Sequence, residues 1–167
     1  MFAGYEHEQQ TKRLAAHFDV PLNYYTTMLY DQQLIFQQKQ STLFAKKSSD
    51  DVMIQQSAFA RRDLSSFQSY EQAYHQLIAD IINQQMYSAN LVLKGTPVKR
   101  IFVDGGFGKN SIFMHMLADA FPNIELFAAS VAQASALGAA LAIHKHWNSK
   151  HIPTDIIELK YYADSKK

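Results

Sequence analysis

Apolar positions along the chain recur first at helical spacing, then irregularly, and then in alternating strand-like and helical segments. From Gly4 to about Phe18 the pattern is helical, with Leu14, Ala15 and Phe18 on one side. Glu6, Glu8, Lys12 and Arg13 take the other sides, and Pro21 marks the end. Met1 to Gly4 offers at most the stub of a strand. From Leu22 to about Phe67 the chain is glutamine-rich, with pairs at Gln32-Gln33, Gln37-Gln38 and Gln55-Gln56. Met28, Leu29, Leu34, Ile35, Phe36, Leu43 and Phe44 keep this stretch apolar enough for packed short helices and loops. The segment from Lys46 to Asp51 is its loop.

Helical spacing returns after Ser69, which with Gln72 three positions on makes a capping-box start. Tyr70, Ala73, Tyr74, Leu77, Ile78, Ile81 and Ile82 predict a helix of about 25 residues, roughly 37 Å long, closed by Gly95 and Pro97. Arg100 to Asp104 reads as a short buried strand, and Gly105-Gly106-Phe107-Gly108 as a turn. Asn110 or Ser111 can cap a helix whose Ile112, Phe113, Met116, Leu117 and Ala120 share a face, with Pro122-Asn123 as its stop. Ile124 to Ala128 is a second strand. Val131 to about Trp147 is a last helix, whose Ala134, Leu137, Gly138, Ala140, Leu141 and Ala142 can pack closely on a sheet. The order predicts a right-handed βαβα unit over about 98–147 with a parallel strand pair, preceded by a helical region over about 4–95.

Glycines suit the turn at the end of the first strand. The chain must reverse there into a helix, and Gly takes backbone angles that other residues resist. Missing side chains also let a flat ligand approach the backbone, while the next helix aims free N–H groups at the same opening. Asn110 adds both a donor and an acceptor. A P-loop does not fit: Gly108-Lys109 is followed by Asn110, and the upstream glycine position is Val103. A dinucleotide fingerprint fits in part. Gly106 and Gly108 are present, the third position is Ser111, and Glu125 lies at a suitable distance, so a dinucleotide-binding α/β fragment stays open.

Composition narrows the partners. Sixteen Lys and Arg against fifteen Asp and Glu give a net charge of +1 with no basic cluster, which argues against nucleic acid. The apolar runs fall well short of the ~20 residues of a membrane span, and the N-terminal residues are no signal peptide. Absence of cysteine excludes disulfides, thiolate catalysis and cysteine-type zinc sites, and fits a cytoplasmic protein.

Phe102-Val103-Asp104-Gly105-Gly106-Phe107-Gly108-Lys109-Asn110, followed by Met114-His115-Met116-Leu117-Ala118-Asp119, resembles the adenosine motif of FGGY-family carbohydrate kinases. Ala134-Ser135-Ala136-Leu137-Gly138-Ala139-Ala140 resembles that family's closing helix. Upstream, the stretches from Phe2 to Glu8 and from Arg61 to Phe67 are similar to sections of fuculokinase- and rhamnulokinase-like members. The resemblance covers nearly the whole chain.

That likeness implies an α/β fold, a partial actin-like (ribonuclease H-like) ATPase domain that is helix-rich with a small parallel strand pair. It makes residues 1–167 an incomplete C-terminal kinase domain, natural or constructed as a fragment. It implies that ATP and Mg2+ serve the intact enzyme as it phosphorylates a sugar hydroxyl in the cleft between two domains. By position, Gly106 and Asn110 match the family's contacts to adenosine, with Gly105 and Phe107 in the same nucleotide-binding loop. Phe107 and Lys109 are larger than the residues many members place there, and Gln133 stands where Glu is frequent. The sugar contacts, the general-base Asp and a phosphate-holding hairpin belong to regions that do not align here. No catalytic or metal-ligating residue is therefore assigned, and a non-catalytic remnant stays open as an alternative.

Other chemistry-bearing residues have structural readings. His144 and His146 sit two apart near a helix end and point in different directions. His75 reads as a surface or packing residue, Asp104 as a turn stabiliser, and Asp63 as a local cap or ion-pair partner. Tyr24, Tyr25, Tyr70, Tyr74 and Tyr87 suit a mixed apolar and polar packing surface.

Overall fold

The computed structural model describes residues 2–35, 58–129, 134–152 and 156–163. Its first helix, α1 (Ala3–Phe18), starts directly after an extended Phe2, so the strand expected near Gly4 is the opening turn of a helix. The Glu6 N–H already reaches the Phe2 carbonyl at 3.0 Å. Asp19 closes α1 in the left-handed region at φ 53°, and its N–H bonds to the Ala15 carbonyl. The buried stripe is wider than the apolar one, because Glu6, Gln10 and Thr11 join Leu14 and Ala15. Glu6 was expected on an outer side. Arg13 also leaves the solvent side: its guanidinium donates to the carbonyls of Phe59 (3.3 Å), Ala60 (3.2 Å) and Arg62 (2.7 Å). It thereby ties α1 to a 3-10 turn, Phe59–Arg61.

The expected Ser69 N-cap is present at the second helix, α2 (Tyr70–Leu93), with the return bond one residue earlier than in a capping box. Ser69 Oγ accepts from the Gln72 N–H at 3.3 Å, while Gln72 Oε1 reaches back to the Gln68 N–H at 2.7 Å. Its N-terminal half is buried on all sides from Ala73 to Ile82, because α1 packs against it from one direction and a later helix from another. Each fully buried Leu or Ile there contributes about 1.5–3 kcal/mol. Beyond Ile82 Met86, Ala89 and Leu93 still pack partly buried against the core, while Leu91 and Val92 face solvent. Asp63 caps its own short turn, accepting from the Ser65 N–H at 3.0 Å. Arg62 instead pairs with Asp80 through two hydrogen bonds, 2.7 and 2.9 Å, and Gln76 donates to the same carboxylate at 2.9 Å.

The expected parallel pair forms between β1 (Arg100–Val103) and β2 (Glu125–Ala129), with Phe102 opposite Phe127 and Val103 opposite Ala128. A third strand, β3 (Leu159–Tyr162), pairs antiparallel to β2, making a mixed sheet in the order β1-β2-β3. Between the parallel strands lie one helical turn, α3 (Gly105–Gly108), and α4 (Ser111–Ala120). Helix α4 touches α2 on one side and β2 and β3 on the other, which buries Leu126, Ala128 and Tyr162. β1 is half exposed, not buried as expected, because it is an edge strand and α4 covers a single face. On the opposite face Phe102, Phe127 and Tyr161 form a cross-strand aromatic row, with ring centroids 5.4 and 5.3 Å apart. Phe102 and Tyr161 are 56% and 54% exposed.

The last helix differs most from expectation. It is split into α5 (Ala134–Ala142) and a short α6 (His144–Trp147), with Ile143 as a non-helical joint. Leu137, Ala140 and Leu141 are partly exposed, and Gly138 is open to solvent, so the small-residue stripe does not press on the sheet. The predicted helix start at Val131, Gln133, and the loop over 46–51 lie outside the described residues. No helix among the described residues is long and apolar enough to cross a membrane.

Candidate functional site

Three glycines lie in the loop after β1, and the geometry requires two of them for different reasons. Gly105 has φ 71°, a left-handed angle that side chains resist. A Cβ placed on Gly108 would lie 2.8 Å from the Val103 carbonyl oxygen, so this glycine lets α3 close against the end of β1. Gly106 meets neither limit: a Cβ there, as at Gly105, has nothing within 4 Å. The backbone at Gly105 and Gly106 is therefore uncovered, at the carboxyl end of a strand and just before a helix N-terminus, where open α/β sheets commonly bind ligands.

Asn110 is the N-cap of α4, and its Oδ1 accepts from the Phe113 N–H at 3.1 Å. Its Nδ2 donates to the Tyr74 hydroxyl at 2.7 Å, linking the loop to α2. The backbone of the loop is closed by its own bonds, from Lys109 N–H to Gly106 O (3.2 Å) and from Asn110 N–H to Phe107 O (3.1 Å). Phe107 turns its ring toward the core. It stacks on Phe113 at 4.3 Å and meets the edge of His7 at 5.5 Å. Of the residues expected at the site, Gly105 and Gly106 are exposed, Phe107 and Asn110 are half-buried, and the Asn110 side chain is bonded to Phe113 and Tyr74. Asp104 precedes the loop without a side-chain cap hydrogen bond, contrary to its expected turn role.

Behind the loop lies a polar contact that the sequence did not reveal. His7 Nε2 is 2.9 Å from the same Tyr74 hydroxyl, and its ring packs edge-on against Tyr25 at 4.9 Å. Burial pushes the His7 ring down from 6.5 to about 4, so it is neutral. Burial also raises the Tyr74 phenol well above its usual range. Tyr74 belongs to the apolar stripe of α2 and looks like core. Its partners are 36 and 67 positions away, at separations where no period connects them.

His75, next along α2, is a packing residue. Its Nδ1 donates to the Glu71 carbonyl at 2.8 Å and its Nε2 accepts from the Asp31 N–H at 3.3 Å. His144 sets its ring edge-on to Trp147 at 5.4 Å. Among the described residues no group of three or more His, Cys, Asp or Glu is arranged to hold a metal ion.

Comparison with known proteins gives one positive result. Residues 64–144, just under half the chain, match the C-terminal domain of the FGGY family of carbohydrate kinases. No curated protein and no solved structure gives a significant match. The matched stretch holds all of α2, the parallel strand pair, the glycine loop and the Asn110 cap. Over that stretch the chain is similar to the C-terminal domain of FGGY-family carbohydrate kinases.

Proposed function

We propose that the loop from Gly105 to Asn110 takes the adenosine part of ATP, and that the chain serves as the nucleotide-binding C-terminal segment of a kinase that phosphorylates a sugar hydroxyl. The supporting observation is the open backbone at Gly105 and Gly106, where added side-chain carbons would meet nothing. That leaves the backbone open to the approach of a planar base. The half-capped carboxamide of Asn110 stands beside it, and α4 begins at the same edge.

The reading extends to the architecture. The βαβα unit over about 98–147 would be the nucleotide half of an actin-like ATPase domain, and the helices before it its support. Sugar contacts and the catalytic base would come from elsewhere in the intact enzyme. Mg2+ would enter with the nucleotide, since this ion is usually held by one or two carboxylates together with substrate phosphates. Phosphoryl transfer is chiefly positioning and charge stabilisation, and on this reading the chain supplies the positioning of the base.

Titration with ATP, followed by calorimetry or by a fluorescent ATP analogue, tests the assignment. Saturable ATP binding that weakens about tenfold in Asn110→Ala is expected, the loss of a hydrogen-bonding group worth roughly 1.4 kcal/mol. Equal affinity in the variant would count against the loop as the site. Preference for NAD over ATP would favour a dinucleotide site, and absence of saturable binding would favour a non-catalytic remnant.

A further inference from the structure

The hydrogen bonds behind the loop have an order that follows from donor and acceptor chemistry. A backbone N–H can only donate, so the Asn110 oxygen must face Phe113. This turns Nδ2 toward Tyr74, and because an amide nitrogen only donates, the Tyr74 oxygen must accept there. The hydroxyl has a single proton, which is then directed to His7 Nε2. A neutral His7 ring protonated on Nδ1 accepts it. Tyr74 is 0% exposed, so bulk water does not reach its hydroxyl.

We propose that Tyr74 is a positioning residue for nucleotide recognition, holding the Asn110 carboxamide in a single orientation at the mouth of the glycine loop. The inference rests on the reading of that loop as an adenosine site. With one Nδ2 hydrogen given to Tyr74 and one Oδ1 lone pair given to Phe113, the carboxamide keeps one donor and one acceptor. Adenine offers the complement, an amino group beside a ring nitrogen, whereas guanine presents two acceptors, O6 and N7, at the equivalent edge. A carboxamide free to rotate by half a turn would exchange its donor and acceptor and lose that discrimination. The Phe113 N–H and the Tyr74 hydroxyl together oppose the turn, and His7, by taking the Tyr74 proton, keeps that hydroxyl an acceptor toward Asn110. The device joins α1, α2 and the cap of α4 through one buried oxygen.

Tyr74→Phe removes the hydroxyl and keeps the ring, which also stacks on Tyr70 and Tyr25. ATP and GTP are titrated against the unaltered chain, Tyr74→Phe and Asn110→Ala. The Asn110 side-chain amide signals are followed by nitrogen-15 NMR in the first two. In Tyr74→Phe, ATP affinity is expected to fall about fivefold with GTP affinity little changed, the factor carried by one neutral hydrogen bond. The Asn110 amide signals are expected to move toward their solvent-exposed positions. Should Tyr74→Phe fail to fold, His7→Phe keeps a ring against Tyr25 and Phe107 while removing the acceptor of the Tyr74 proton. It is expected to narrow the ATP-to-GTP ratio in the same direction by a smaller factor. If Asn110→Ala weakens ATP but the tyrosine and histidine variants keep the original ratio, positioning is overturned and the site stands. If Asn110→Ala leaves ATP binding unchanged, the site itself is lost and the inference falls with it.

Discussion

At the scale of single residues, the glycines of the loop separate stability from binding. Gly106→Ala places a methyl group in open space at an ordinary backbone angle, so it is expected to leave the unfolding free energy within about 0.5 kcal/mol of the original. Gly105→Ala must hold a left-handed angle, and a loss of about 1 kcal/mol is expected. Gly108→Ala drives its Cβ to 2.8 Å from a fixed carbonyl oxygen, and a loss of 1–3 kcal/mol, about the cost of other overpacked sites, is expected. Urea unfolding of the three variants checks the order. A Gly106→Ala loss as large as that of Gly108→Ala would show that the loop is plugged. The glycine cluster was legible in the sequence as a unit. Which glycine obeys which constraint was not, because that depends on the Val103 carbonyl and on free space, and neither has a sequence pattern.

At the scale of elements, α2 shows what periodicity can and cannot carry. Its start, its length and its apolar stripe follow from Ser69, Gln72 and the spacing of Tyr70, Ala73, Tyr74 and Leu77. The polar residues inside it do not follow. Asp80 looks like a solvent-facing position but is buried with Arg62 and Gln76 bonded to it. Asp80→Ala leaves Arg62 without its partner and Gln76 with an unmatched buried amide. A loss of about 2–3 kcal/mol is expected, as for a hydrogen-bonded charge, and thermal or urea unfolding would measure it. A loss below about 0.5 kcal/mol would mean that the pair behaves like an exposed one. The error over α5 and α6 has the opposite cause. Their small residues are consistent with close packing, yet composition sets only what a helix can pack against, and among the described residues Gly138 and its neighbours are largely exposed. Strand β3 was missed because Leu159-Lys160-Tyr161-Tyr162 alternates too briefly to stand apart from a loop.

At the scale of the whole molecule, buried imidazoles make stability depend on pH. Burial lowers the pKa of His7 to about 4, and it lowers His75 and His115 in the same direction. A folded-state pKa below the unfolded one means that the unfolded chain takes up protons first as the solution is acidified. Stability is therefore fully present above about pH 6.5 and declines toward pH 4, with His7 alone contributing on the order of 2–3 kcal/mol to the fall. Urea midpoints measured between pH 7 and pH 4.5 are expected to drop, and to drop less in His7→Phe. An unchanged slope in that variant would assign the pH dependence to other groups.

The sequence by itself determined where helices and strands lie around the glycine loop, and the family model that residues 64–144 match. Both follow from short-range regularities, namely periodicity, caps, and glycines in a fixed local order. Tertiary structure alone decided that Tyr74 stands behind Asn110 with His7 behind it, that Phe107 faces inward, and that α5 is partly exposed. These are contacts between elements far apart in the chain. They are set by which faces pack together and which polar atoms are buried as they do, quantities that no local window of residues contains.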